Sequence, residues 1–382
     1  MLYINLKILL EISKKTKGIA LSDYRRNIVI YYINEYIEKK MEKNAGSKAR
    51  NDVEEIFRNF DMQTIQVDRK EHAKGIKMHL NNAATIYYSL KKEDIQDSLI
   101  FFQFPLIGHS IFNSMVLKKI KRKRNKIVGI IHDLEFLRFN EDINTIGYKR
   151  IKFEEFSLLN ICDKIIVHNA AMRNLLMCHG IDEDKMIELE IFDYLIDVNA
   201  PKVITKEIDA DVAIAGNLKA EKSGYVYKLP DKPQFALYGA NFCGKSIQKN
   251  VKYKGSFYPD ELVFQLNEKY GLIWDGNSAD TCEGNYGEYL KYNNPHKTSL
   301  YLAGELPVII WEQAALAPFV LKHKVGIVIK KLSEINKKIE EISADEYMDI
   351  KENVAEISGK IRRGYFMNCA IKKAIDQLGY KG

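Results

Sequence analysis

No stretch of about 18 uncharged apolar residues occurs in this 382-residue chain, so nothing in it reads as a membrane-spanning helix. The five cysteines, Cys162, Cys178, Cys243, Cys282 and Cys369, are scattered without CxxC spacing. That argues against structural zinc and for reduced thiols in a cytoplasmic protein. The first 21 residues carry Lys7, Glu11, Lys14, Lys15 and Lys17 and lack a small-residue cleavage site, so they do not read as a signal peptide. A large charge imbalance is also missing: 58 Lys+Arg against 51 Asp+Glu leave +7, which allows anionic partners without demanding nucleic acid. What is abundant is apolar material. With 46% hydrophobic residues over this length, the chain exceeds one typical core and is expected to fold as two domains.

Along the chain, Leu2, Leu6, Leu9 and Leu10 fall at helical spacing, while Ile4, Leu6, Ile8, Leu10 and Ile12 alternate as a strand would. A short amphipathic helix is expected over residues 1–24, with a strand as the alternative. Asn27 to Ile33 is a continuous β-branched and aromatic run, the pattern of a strand buried on both faces. The small-residue segment Asn44 to Ala49 then opens a helix through Asp52, Val53 and Ile56, either as a phosphate or sugar cradle or as an ordinary turn. Further strand-like runs are Gln63–Val67, Ser98–Phe104, Ile127–Ile131 and Lys164–Val167, with helical stretches between them. This alternation predicts a doubly wound parallel sheet, whose ligand groups gather at the carboxyl ends of the strands. Glu35, Gln103, His132 with Asp133, and His168 with Asn169 occupy such ends. Singly, each histidine reads as a structural residue; together they point to the lining of a cleft. Between two of the strands, the run 118–126 holds seven cations in nine residues. It is either a contact for an anionic membrane or a solvated helix end; no fold motif or aromatic platform accompanies it to suggest nucleic acid.

A domain boundary is expected near 197–202, giving a first domain of 1–200, a second of 201–360 and a last helix, 361–382, that crosses back. Ile339 to Leu378 reads as helical, broken at Gly359 and Gly364. The second unit repeats the pattern, its strands stopping at Gly216-Asn217, Gly239, Gly255 and Asp275-Gly276. Its most informative stretch runs from Tyr289 to Leu300. Asn294 is the expected N-cap of a following helix, with Pro295 at its first position. Lys297 in the first turn opposes the helix dipole, a conflict that a diphosphate at the helix end would resolve. The alternative is a solvated lysine on an ordinary helix.

Several of these segments resemble one family. Gly216-Asn217-Leu218, Tyr253-Lys254-Gly255-Ser256-Phe257, Gly271 to Gly276, Leu306-Pro307-Val308-Ile309 and above all Tyr286 to Lys297 are similar to bacterial GT-B glycosyltransferases. The family includes the glucosyltransferase of streptococcal serine-rich adhesin modification and β-1,6-galactofuranosyltransferases of O-antigen assembly. The first domain shares in it through Tyr32 to Tyr36, Ala45 to Val53, Ile131 to Glu135 and Ile191 to Tyr194. The resemblance implies an α/β GT-B fold, two Rossmann-like domains whose parallel sheets face a central cleft. It implies transfer of a hexose (glucose, galactose or galactofuranose) from a UDP-sugar to a glycan, lipid-linked or glycoprotein acceptor, at the cytoplasmic side of the membrane. Tyr292, Asn293, Asn294 and Lys297 would hold the diphosphate and ribose, Gly216, Asn217, Tyr238 and Asp275 would line the nucleoside, and Gly46 and Ser47 would lie across the cleft near the transferred sugar. No cofactor or metal beyond the UDP-sugar donor is expected, since departure of a diphosphate needs only preorganised cationic and N–H donors. A homo-oligomer fits the family as well as a monomer does. Departures from the family pattern fall at Leu300, near a position where many retaining members carry a ribose-binding glutamate, and at Ala303-Gly304-Glu305-Leu306-Pro307. Asp133, His132 and Glu35 are the candidates for a general base if the reaction inverts; if it retains, they orient sugars. Two rival readings stay open: a catalytically inactive sugar-nucleotide-binding partner of another transferase, and a nucleic-acid-binding protein using 118–126.

Overall fold

The computed structural model describes residues 28–37, 45–69, 75–138, 143–197, 208–244 and 248–380. The segment 1–24 and most of the expected boundary at 197–202 lie outside them. The first unit comprises β1 (Ile30–Ile37), α1 (Ala45–Phe57), β2 (Gln63–Arg69), α2 (Gly75–Lys92), β3 (Leu99–Phe104), α3 (Asn113–Lys121) and β4 (Lys126–Ile131). It continues with α4 (Glu135–Arg138), α5 (Ile146–Ile161), β5 (Lys164–Val167), α6 (Ala170–Cys178) and β6 (Met186–Glu188). The second unit comprises β7 (Val212–Ala215), α7 (Ala220–Ser223), β8 (Phe235–Tyr238), β9 (Val251–Gly255), α8 (Pro259–Leu262), β10 (Tyr270–Ile273) and α9 (Gly284–Tyr289). After these come α10 (His296–Ala303), β11 (Val308–Trp311), α11 (Ala317–His323), β12 (Gly326–Ile329), α12 (Ile335–Glu340), α13 (Ala344–Ile361) and α14 (Tyr365–Gln377).

Each unit builds one six-stranded parallel sheet, ordered β2-β1-β3-β4-β5-β6 and β12-β11-β10-β7-β8-β9. The continuous apolar runs follow from burial on both faces. In the first sheet Phe101, Val128 and Ile166 share a core with Val53 and Phe57 of α1 and Phe366 and Ile371 of α14. The alternate residues Ile100, Phe102, Ile127 and Ile165 share another with Ile86 of α2, Leu117 of α3 and Leu158 of α5. The first of these cores runs on without interruption into the second sheet. α14 packs on β5 and β6, so the end of the chain closes over the first unit.

Two local expectations are corrected. Of the expected small-residue turn, residues 45–49 are not ahead of a helix: α1 already begins at Ala45, which places Gly46 and Ser47 in its first turn. Gly359 does not break a helix, because α13 runs through it to Ile361 and the glycine has open space around it except toward Arg363. The break falls at Gly364, whose φ of +75° reverses the chain before α14. Two short strands, β6 and β12, were not legible as separate runs.

Candidate active site between the two sheets

The carboxyl ends of the strands of both sheets meet across the middle of the molecule. Behind β7, Gly216 has φ +142° and Gly239, behind β8, has φ +149°. A Cβ on Gly239 would come within 1.7 Å of the Gly216 carbonyl oxygen, so only glycine permits these two strand ends to approach so closely. Beside them Tyr227, Phe242 and Tyr253 form an aromatic shelf, with Phe242 and Tyr253 stacked at 4.7 Å and the Tyr253 hydroxyl donating to the Gly239 carbonyl. Asn217 accepts from the Lys219 N–H and from Asn241 Nδ2. Tyr238 is placed differently from Gly216 and Asn217. Its ring is buried in the core and its hydroxyl donates to Glu268 at 2.7 Å, so only its backbone reaches the strand end.

At the centre of the site one carboxylate pairs with one cation and lies in the field of two more. Asp133, following β4, pairs with Arg138 of α4 at 2.5 Å, and Lys222 of α7 and Arg50 of α1 also act on it electrostatically. Burial nevertheless raises its pKa above the ordinary carboxylate value, against the lowering by Arg138, Lys222 and Arg50. Lys222 also lies 5.4 Å from the Tyr286 ring centroid and adds to the positive field at Lys297. Tyr289 of α9 reaches across to accept from the Leu134 N–H at 2.9 Å, fixing the loop that carries Asp133. Sequence reasoning had assigned no role to Lys222, Arg138 or Arg50. The available signal was weak: a cation in the first helical turn after a strand ending in glycine.

The diphosphate loop departs from expectation at two points. Asn294 is not an N-cap: the cap is Pro295, in extended backbone, and the helix starts at His296. Asn294 is buried instead in a joint between the domains, where its Nδ2 donates to the carbonyls of His168 (2.8 Å) and Glu190 (3.1 Å) and its Oδ1 accepts from Asn169 Nδ2 (2.8 Å). Asn169 Nδ2 also donates to the Tyr292 carbonyl. His168 Nε2 faces the Ile131 carbonyl at 3.0 Å and must donate, which leaves Nδ1 to accept from the Asn294 N–H at 2.9 Å. Burial holds this imidazole neutral, its pKa lowered to about 4. His168 and Asn169 are therefore parts of the joint. On the opposite side of the first sheet Lys48 pairs with Asp52 and with Asp260 of the second domain, a further tie.

The charge of Lys297 is also answered within the protein, by Asp275 Oδ1 and the Trp274 carbonyl, both at 2.8 Å. The conflict with the helix dipole is thus relieved by a buried carboxylate, without requiring an anion from outside. What the loop leaves open is polar capacity: Asn293 Oδ1, both ring nitrogens of His296 and Thr298 Oγ1 are buried without hydrogen-bond partners. Leu300 is in the core.

On the first domain, Glu35 accepts from the Ile107 and Gly108 N–H groups, at 2.6 and 3.1 Å. Arg50 donates to the Pro105 carbonyl at 2.7 Å, and a small cavity lies between Glu35, Arg50, Glu54 and Gln103. Gln103 Nε2 faces the Arg50 carbonyl, so its Oε1 accepts from His132 Nε2 at 2.7 Å. The His132 ring, stacked on Phe192, is therefore held as the Nε2–H tautomer with its Nδ1 lone pair unprotonated. Burial first, then Arg50 and two neighbouring histidines, push its pKa well below the usual value.

Folding pairs four of the seven cations of the run 118–126 with three aspartates. Lys121 and Lys126 pair with Asp163, Lys123 with Asp94 and Arg124 with Asp97. Among the described residues no group of three or more His, Cys, Asp or Glu could hold a metal ion, and no helix is long and apolar enough to cross a membrane.

Two parallel α/β sheets meeting tip to tip, with the last helix returned to the first, are the GT-B arrangement of two Rossmann-like domains. Solved structures share it. A glycosyltransferase from Rickettsia africae ESF-5 superposes with a TM-score of 0.60 at 11% identity, over 93% of this chain and 100% of that one. HepE of Anabaena in complex with UDP-glucose superposes with a TM-score of 0.56 at 12% identity, over 91% of this chain and 100% of that one. The family follows from sequence. Residues 30–191 match the Glucosyltransferase 3-like N-terminal domain and residues 212–374 the corresponding C-terminal domain. The β-1,6-galactofuranosyltransferase WbbI of Escherichia coli (strain K12) is 32% identical, covering 91% of this chain and 99% of its own length. Glucosyltransferase 3 of Streptococcus gordonii is 24% identical over 73% of this chain and 80% of its own. The chain belongs to the Glucosyltransferase 3-like family.

Proposed function

We propose that this protein is a glycosyltransferase that moves a hexose from a UDP-sugar to a glycan acceptor, lipid-linked or on a glycoprotein, in bacterial surface assembly. The observation that carries the reading is the convergence of Lys222, Arg138 and Arg50 on Asp133 where the two sets of strand tips meet. Such a field, fixed before substrate arrives, stabilises charge on a departing diphosphate without reorganising at the moment of transfer. Lys222 and Lys297 then bring positive charge to the diphosphate. The glycine pair Gly216 and Gly239 and the aromatic shelf receive a planar base, which rests against backbone there. Glucose, galactose and galactofuranose are the donor sugars that fit the family's members.

On the acceptor side, Asp133 takes the proton of the attacking hydroxyl. Its raised pKa moves it toward neutral pH, where a general base works best. His132, neutral with Nδ1 unprotonated, accepts a hydrogen bond from a sugar hydroxyl, and Glu35 holds the 107–108 loop beside it. Because the base must be ionised, turnover rises with pH through the Asp133 pKa, and Asp133→Asn removes that rise together with about 10²- to 10⁴-fold of the rate. Donor turnover measured across UDP-glucose, UDP-galactose and UDP-galactofuranose tests the reading: one of them is hydrolysed slowly without acceptor. Binding of UDP with no turnover of any of them would favour a catalytically inactive sugar-nucleotide-binding partner.

A further inference from the structure

Right-handed crossovers place α2, α3, α5 and α6 side by side on one face of the first sheet, with α1 and α14 on the other. The two faces differ in charge. α2, α3 and α6 contain no Asp or Glu, and the two acids of α5, Glu154 and Glu155, are buried. The outer ridges of these four helices thus offer a bilayer or any other partner no exposed carboxylate. They do offer cations: Lys77, Lys91, Lys92, Lys118, Arg122 and Lys149 find no acid partner among the described residues. On α3, Met115, Lys118, Lys119 and Arg122 follow i, i+3, i+4, i+7 spacing and make one outward stripe. By contrast α13, on the second domain, begins with Asp345 and Glu346 in its first turn.

The same face exposes large apolar side chains. Ile76, Leu80 and Tyr88 of α2, Met115 of α3, and Ile146 and Phe153 of α5 are each more than half exposed, Ile146 by 87%. Packing of the fold does not call for them there, since the inward sides of these helices already supply the core. Apolar side chains on a cationic, acid-free helical layer are the composition of a surface that lies in a membrane interface. Helices of a parallel sheet run opposite to its strands, so Ile76, Leu80, Met115 and Ile146, near their helix N-termini, lie at the end of the layer that borders the cleft.

We propose that this four-helix layer docks the protein lengthwise on an anionic lipid bilayer, its apolar side chains near the cleft entering the headgroup boundary and its cations meeting the headgroups along the layer. Of the run 118–126 only Lys118, Lys119 and Arg122 contribute, the other cations being consumed by aspartates. The surface does not depend on the donor chemistry proposed above, and its test is separable from that of the donor site.

The test is co-sedimentation of the full chain with phosphatidylcholine vesicles, with and without phosphatidylglycerol, at low and high salt. The expected result is binding that requires the anionic lipid and weakens with salt. Each cation is expected to contribute about fivefold to partitioning, so Lys91→Gln/Lys118→Gln/Arg122→Gln lowers it on the order of 100-fold. Leu80→Ser/Met115→Ser/Phe153→Ser weakens binding that persists at high salt. Both triple variants keep the wild-type thermal midpoint and its rise with UDP, which shows that they fold. The proposal is overturned if the chain stays in the supernatant with anionic vesicles, if either variant binds like wild type, or if sedimentation velocity shows that the apolar triple abolishes a self-association, which would make the layer an interface between copies.

Discussion

Replacing Asn294 separates a joint from a ligand contact. In the structure its side chain makes three buried hydrogen bonds, all to the first domain, while the residue belongs to the loop that opens α10. Asn294→Ala strands two carbonyls, those of His168 and Glu190, and removes one of the two acceptors of Asn169 Nδ2, which keeps the Tyr292 carbonyl. A stranded buried group costs about 1–3 kcal/mol, and the relief of Asn169 places the sum at about 2–4 kcal/mol. For a domain of this size that lowers the melting temperature by roughly 5–10 °C. Asn294→Asp is worse at neutral pH, because it sets a carboxylate against two carbonyl oxygens. That carboxyl would have its pKa raised in the folded state. The variant would therefore regain stability as the pH falls and lose it as the pH rises through the raised pKa. Thermal denaturation of both variants, with and without UDP, is the assay. A melting temperature indistinguishable from wild type, with loss of the UDP-induced shift, would refute the joint and return Asn294 to the donor site.

Lys297→Met leaves Asp275 buried and unpaired, at a cost of about 3–5 kcal/mol, and abolishes donor turnover; Lys297→Met/Asp275→Asn recovers the stability and not the turnover, as unfolding midpoints and donor assays would register. Lys222→Ala, on a short surface helix, leaves the melting temperature unchanged and lowers kcat/KM about 10²- to 10³-fold, which steady-state kinetics would detect. Glu155 accepts from the Glu135 and Phe136 N–H groups and burial pushes its pKa up to about 8, so the folded state binds the extra proton. Its contribution to stability is fully present below the unfolded carboxyl pKa and is lost as the pH rises to about 8; the melting temperature of Glu155→Gln should vary less than that of wild type between those limits.

Much of the architecture was legible because strands buried on both faces leave unbroken β-branched runs, as in Ile127 to Ile131. β6 and β12 were missed because three or four residues at a sheet edge give too little pattern to separate from their surroundings. The positions of the candidate residues at strand ends and near a helix start were legible, and their pairings were not. The sequence marks Asn294 and Lys297 as unusual near a helix start. It cannot mark that Asn169, 125 residues away, occupies the first, or that Asp275 occupies the second. The same limit governs the cationic run, part of whose charge is met by Asp94, Asp97 and Asp163. Gly359 reads as a breaker only until the room around it in α13 is known.

The proposed UDP site at the meeting of the two sheets is tested most directly by thermal stabilisation of the protein by UDP, GDP, dTDP and CMP, compared between wild type and Lys222→Ala. A rise in melting temperature with UDP, smaller with the other nucleotides and diminished in the variant, is the predicted result. No stabilisation by any nucleotide, or an equal rise in both proteins, would contradict it.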